Sequence, residues 1–230
     1  MSKKALPGDE NLEIIEHTLT NAETFIQKYQ KQVVYGFGAV ILVVASYFAY
    51  QNWYKAPLEE EAQSQMFVAV QYFEQDSLNM ALNGDGSNLG LLDVEERYGS
   101  AKAGNLARYY IGLSYLYTGS YEEAIAYLKK YSPADKMSRA LSLGNIGDAY
   151  SELQEYGNAA SYYKKAVKAS DSRLTAPRYL MKAGLALEAE GKYAEAAKLY
   201  EQIKKKFPDT SEGREADKYV ARAQVLAEQK

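Results

Sequence analysis

The sequence predicts an all-α protein: a single N-terminal transmembrane helix followed by an α-solenoid of short helical repeats. Three observations point there. Val33 to Tyr50, VVYGFGAVILVVASYFAY, runs for eighteen residues without a charge. Farther on, Gly112-Leu113-Ser114-Tyr115, Gly147-Asp148-Ala149-Tyr150 and Gly184-Leu185-Ala186-Leu187 recur at spacings of 35 and 37 residues, within the range that marks stacked helical repeats. Each of these glycines is followed at one fixed distance by an aromatic and an alanine: Tyr121 and Ala124, Tyr156 and Ala159, Tyr193 and Ala196.

Residues 1–31 form the N-terminal segment, with four lysines and five acids. Met1 to Glu10 reads as disordered, because Pro7-Gly8 and mixed charges break any periodicity. From Asn11 the pattern turns helical: Leu12, Ile15 and Leu19 fall three and four apart. Thr20 with Glu23 then forms a capping-box pattern ahead of Phe25, Ile26 and Tyr29. The expectation is a partly amphipathic segment whose second helix runs into the span. Phe25 and Ile26 suit a headgroup surface or a partner helix. His17 is the single histidine of the chain; with no cysteine or second histidine to share a metal or serve a triad, it reads as a solvated surface residue.

Residues 32–54 form the span. At about 1.5 Å of rise per residue the uncharged run covers roughly 27 Å, close to the ~30 Å hydrocarbon core of a bilayer. A buried soluble helix is the competing reading, but such helices seldom stay uncharged this long. Tyr47, Tyr50, Trp53 and Tyr54 crowd the C-terminal end, where amphipathic rings settle among headgroups. Lys28 and Lys31 precede the span, while Lys55 follows it and the next basic residue is Arg97. Positive-inside counting therefore places the N-terminus in the cytoplasm. More than thirty polar residues come first and no A-x-A-like site follows, so the span reads as an uncleaved signal anchor. Gly36-Phe37-Gly38 lies inside the span and reads as a packing surface rather than a phosphate loop. Gly38, Ala45 and Ala49 fall near one stripe that would admit a neighbouring membrane helix closely.

Residues 55–61, with Pro57 and Glu59-Glu60-Glu61, read as a linker. Residues 62–104 form a degenerate first unit in which Ala69 takes the small position, Tyr72 the aromatic, Leu78 the turn and Ala81 the alanine. Its distance to the next unit, Ala69 to Gly112, is 43 residues, and Asn83-Gly84-Asp85-Gly86-Ser87-Asn88 supplies most of the excess. That hexamer resembles the start of a calcium loop, yet its sixth position is Asn88 and its twelfth Val94, so a plain turn is expected. Full repeats follow at 105–139, 140–176 and 177–209. Pro208-Asp209 then breaks the chain, Thr210 or Ser211 can cap, and 210–230 reads as a terminal capping helix striped by Tyr219, Ala223 and Leu226. Tyr98-Gly99-Ser100 stands in the first unit where Phe207-Pro208-Asp209 stands here.

These windows, ARYYIGLSYLYTGSYEEAIAYL, SLGNIGDAYSELQEYGNAASYYKKAV and YLMKAGLALEAEGKYAEAAKLYEQI, resemble the tetratricopeptide repeat (TPR). Its physics explains the residue types. Gly112, Gly147 and Gly184 let the two helices of a repeat cross closely, with Ala124, Ala159 and Ala196 on the facing helix. Tyr115 and Tyr150 fill the space between successive helices, and Gly119 and Gly191 suit turns that need positive φ. No unit covers its own apolar face, so stacking makes the core.

Composition excludes several function classes. Residues 55–230 carry 23 basic and 25 acidic side chains, without the basic excess of a nucleic-acid binder. Cysteine is absent, which removes disulfides and thiolate-ligated metals. Beyond the span there is neither histidine nor cysteine to pair as nucleophile and base, so no enzyme, cofactor or metal is expected. The TPR resemblance instead implies a concave groove lined by the first helix of each repeat. Its positions here are Met66, Val70 and Phe73, then Leu106, Tyr109, Leu113, Leu116 and Tyr117, then Leu141, Asp148, Ser151 and Glu152, and finally Arg178, Met181, Leu185 and Glu188. The earlier half is apolar and aromatic and the later half polar. As a set they suit an apolar peptide or helix laid in a groove, and they lack the basic clamp by which co-chaperone TPRs hold a C-terminal carboxylate.

The layout of a short N-terminal segment, one span, a degenerate unit, three TPRs and a capping helix resembles the YfgM-like ancillary subunits of the bacterial Sec translocon. That resemblance implies a single-pass inner-membrane protein with a cytoplasmic N-terminus and a periplasmic TPR domain. Its implied partners are a SecYEG-type translocon, a PpiD-like membrane-anchored chaperone, emerging polypeptides and the surrounding membrane lipid. Tyrosine-rich TPR scaffolds of other envelope assembly machines look similar, though those carry a lipidated cysteine that this chain lacks.

Overall fold

A computed structural model describes residues 9–229, with side chains described from Lys28 onward except at Gln30 and Val33. The disorder expected at the start of Met1–Glu10 and the side chains of His17, Phe25 and Ile26 therefore lie outside the described residues. Asp9 and Glu10 already belong to a helix. The chain forms two units, residues 1–57 and 58–230, and no strand occurs among the described residues.

The first unit is dominated by α1, Asp9–Tyr50, an uninterrupted helix of 42 residues. The break expected at Thr20 does not occur. A capping box acts only where the chain enters a helix from non-helical backbone, and no glycine or proline separates Asp9 from Tyr35. A π turn, Gln51–Lys55, follows, in which the Ala56 amide donates to the Gln51 carbonyl. This widened turn stands immediately before Pro57, whose ring would otherwise press on the carbonyl of Trp53 four residues back. The chain then continues as α2, Ala56–Glu74. Residues 55–61, expected as a linker, are thus helical. The helix from Val34 onward is long and apolar enough to cross a membrane, and none of its apolar window is buried.

The second unit is a succession of helix pairs. After α2 come α3, Leu78–Asn83, and α4, Leu91–Tyr98. The repeats proper are α5, Lys102–Thr118, with α6, Tyr121–Lys130; α7, Lys136–Glu152, with α8, Tyr156–Ala169; and α9, Ala176–Ala189, with α10, Tyr193–Lys206. The closing helix is α11, Ser211–Glu228, capped by Thr210, whose hydroxyl accepts from the Gly213 amide. From α3 to α11 sequence neighbours pack together, and α3 also touches α5, α5 touches α7, and α9 touches α11. This is a solenoid, in which each pair rests on the next.

In the degenerate unit the second helix is broken in two, α3 and α4, with the inserted loop between them. Asp85 organises the intervening loop: its carboxylate accepts from the Ser87 and Asn88 amides, the Asn88 side chain and the Tyr72 hydroxyl. These hydrogen bonds, led by those from Asn88, hold the Asp85 carboxyl well below the usual carboxylate range. The parallel between Tyr98 and Phe207 is structural as well. Both side chains are buried, and the glycine six residues after each, Gly104 and Gly213, lies against its backbone carbonyl with no room for a Cβ.

The turn between the helices of each pair has one geometry. Gly119 and Gly191 adopt φ of 83° and 74°, and the same position in the other two units holds Asp76 at 58° and Gln154 at 60°. The crossing of each pair is equally regular. A Cβ on Gly112 would stand 2.6 Å from Leu128 Cγ, and one on Gly147 2.7 Å from the Tyr163 ring. On Gly184 it would strike the Tyr200 ring. The partner of each glycine is therefore the side chain sixteen residues on, whereas Ala124, Ala159 and Ala196 are fully buried beside it. Tyr115 packs against both the first and the middle core cluster, and Tyr150 against both the middle and the last. These two rings join what would otherwise be three separate cores.

Candidate functional site

The ends of α5, α7 and α9 and the starts of α6 and α8 converge on an open cavity of about 550 Å³. Six of the expected groove residues line it: Leu116 and Tyr117 from α5, Asp148, Ser151 and Glu152 from α7, and Leu185 from α9. Ser151 and Glu152 belong to the last turn of α7, and Tyr121 and Tyr156 join the lining from the first turns of α6 and α8. Tyr117 is 63 % exposed and Leu185 41 %, so the wall offers apolar surface to a ligand.

A polar cluster forms one side. Lys182 Nζ lies 2.7 and 2.8 Å from the two carboxylate oxygens of Asp148. Tyr163 donates its hydroxyl to Asp148 Oδ1 at 2.6 Å, and Lys182 also sits over the Tyr163 ring at 5.7 Å. Burial pushes the Tyr163 hydroxyl far above its ordinary value, and the adjacent Asp148 charge adds to the effect. The next repeat boundary carries a related cluster, in which Arg222 of α11 pairs with Glu188 of α9. Burial, reinforced by the Glu188 charge, pushes Tyr200 up there.

The remaining expected groove residues are placed differently. Met66 and Leu113 are buried in the core, at 9 % and 8 % exposure, because superhelical stacking closes the groove over them. Val70, Phe73 and Leu106 are half-buried against the core of the first unit. Phe73 meets Tyr110 edge-on at 5.2 Å and stacks on Tyr117 at 6.1 Å. Tyr109 accepts from the Asn145 side chain at 3.2 Å and packs on Tyr131 at 5.1 Å. Met181 packs against the last cluster, and Arg178 is exposed but does not line the cavity. The cavity at α5, α7 and α9 itself is mixed, with Leu116, Tyr117 and Leu185 beside Asp148, Glu152 and Lys182. In the span, a Cβ on Gly38 would meet nothing within 4 Å, and Ala45 is exposed.

Sequence reasoning missed Lys182 and Tyr163 as site residues. The available signal is spacing: Lys182 lies 34 residues after Asp148, three short of the 37 that separate Gly147 from Gly184, so the two come from adjacent first helices about one helical turn apart in register. Tyr121 and Tyr156 were legible only as turn aromatics.

Tetratricopeptide repeat family models match residues 145–210 and residues 106–132. Comparison with curated protein sequences finds no match. Among solved structures, the nearly identical TPR-like repeats of a Podosopora anserina putative kinesin light chain, and a single-substitution variant of them, each superpose with a TM-score of 0.56 at 18 % identity. Each alignment covers 75 % of this chain and 89 % of the other. The similarity establishes the fold: this chain carries tetratricopeptide repeats in a solenoid. Such repeats form a non-catalytic protein–protein interaction scaffold.

Proposed function

We propose that this chain is a non-enzymatic, membrane-anchored adaptor: an ancillary, periplasm-facing subunit of the Sec translocon that assists secreted or membrane proteins together with a membrane-anchored chaperone. The observation that carries it is the open cavity between Tyr117 and Leu185, which presents exposed apolar side chains on a rigid repeat scaffold in a chain that also has a membrane-length apolar helix. The lysines before that helix support an N-terminus in the cytoplasm. Gly38, Ala45 and Ala49 are the positions proposed to meet a neighbouring membrane helix. Leu116, Tyr117, Asp148 and Leu185 are the positions proposed to meet the protein partner.

Replacing Tyr117 by a photoreactive residue in the full chain, in its own membrane, tests this. Crosslinks to translocon subunits, to a membrane-anchored chaperone or to emerging chains are expected. Capture of cytoplasmic proteins alone would overturn both the topology and the function.

A further inference from the structure

The charge of the cavity indicates which polypeptides it selects. Three charged side chains line it: Asp148, Glu152 and Lys182. Lys182 is committed to both oxygens of Asp148, and this pair cancels. Glu152 is exposed, and its contact with the Tyr121 hydroxyl is 3.5 Å, the long limit of a hydrogen bond. One carboxylate charge therefore faces the cavity uncompensated, since Arg178 stands outside the lining. Around it are the rings of Tyr117, Tyr121 and Tyr156, whose electron-rich faces attract ammonium and guanidinium groups. Leu116 and Leu185 supply an apolar wall alongside.

We propose that the groove selects polypeptide segments in which a lysine or arginine stands beside a large apolar residue. The cation sits between Glu152 and the tyrosine faces, and the apolar side chain lies on Leu116 and Leu185. This selectivity rests on the cavity being the protein-binding site proposed above, and it adds a sign of charge to that reading. An anionic segment meets Glu152 as a like charge and is rejected by electrostatic mismatch.

Fluorescence anisotropy of the full chain in dodecyl maltoside, corrected for peptide bound to empty micelles, separates the two. Three labelled peptides of equal length would be compared, alternating leucine with arginine, with glutamine or with glutamate. The leucine–arginine peptide should bind about tenfold more tightly than the glutamine form. The glutamate form should be weaker still, and added salt should shrink the differences. Glu152→Gln should weaken the arginine peptide about fivefold and leave the glutamine peptide unchanged, while Glu122→Gln, outside the cavity, should change neither. Equal affinity for all three peptides, abolished by Leu185→Asp, would overturn the charge selection and leave the groove reading intact. No binding of any peptide would overturn the selection too, and the Tyr117 crosslink would then decide whether the groove reading survives.

Discussion

Lys182 reaches from α9 back to α7 and engages both carboxylate oxygens of Asp148, at 2.7 and 2.8 Å, across a repeat boundary. Both side chains are 29 % exposed, so each depends on the other for part of its solvation. Asp148→Ala should cost about 2–3 kcal/mol, because it strands the Lys182 ammonium and leaves the Tyr163 hydroxyl without its acceptor. The double variant Asp148→Ala with Lys182→Met should recover a large part of that loss. Urea unfolding of the four proteins in the cycle measures this; a double variant no more stable than Asp148→Ala would show that the ammonium is not the origin of the cost.

The glycine crossings are filled from the facing helix. Gly147→Ala and Gly184→Ala each place a Cβ inside a tyrosine ring that cannot bend away, because Tyr163 and Tyr200 are 3 % and 0 % exposed. Overpacking of this kind costs about 1–3 kcal/mol. Ala149→Gly, at a neighbouring, fully buried position of α7, gives the opposite change, with a loss of about 1 kcal/mol of propensity and about 0.8 kcal/mol for the packed methyl. Thermal melts of the three variants give the ranking.

Gln154 occupies a left-handed turn that its counterparts fill with Gly119 and Gly191. A residue with a Cβ is strained there by roughly 1 kcal/mol. Gln154→Gly should therefore stabilise the chain by about 0.5–1 kcal/mol, and Gly119→Ala should destabilise it by a similar amount. Opposite signs in chemical denaturation confirm the shared geometry, and equal signs refute it.

Alkaline pH should unfold the solenoid through its tyrosines. Burial pushes the hydroxyl of Tyr179 from 10.0 up to about 12 and raises Tyr109, Tyr163 and Tyr200 as well. The folded state thus holds its phenol protons after the unfolded state has released them. The associated stability is complete below pH 10.0, falls as pH rises above it, and is lost through about 12 for Tyr179. Tyrosinate absorbance from the buried set should rise in one step that coincides with loss of helical circular dichroism. A single gradual rise with helicity intact would contradict the burial assigned to these rings.

Much of the fold is legible in the sequence because its signals are local. The repeat spacing of Gly112, Gly147 and Gly184, the turn glycines and the Thr210 cap each depend on a few residues close in sequence, and they recur. What stays hidden depends on longer reach. The glycine partners Leu128, Tyr163 and Tyr200 lie sixteen residues away on another helix, and sequence reasoning points to the smaller alanines instead. Met66 and Leu113 share the repeat positions of groove residues, yet stacking buries them. The capping-box pattern at Thr20 suggests a boundary because propensity cannot tell whether a neighbouring helix runs through it.

By itself the sequence determined the membrane-length apolar run, the helix-pair period and the direction in which each helix turns its apolar face, because hydropathy and periodicity are properties of residues within a few positions of one another. Only the tertiary structure decided which first-helix residues remain open. The superhelical stacking of α5, α7 and α9 closes over Leu113, leaves Tyr117 and Leu185 uncovered, and brings Lys182 to Asp148. Those outcomes depend on how much surface each repeat removes from its neighbour, and that quantity exists only once the repeats are stacked.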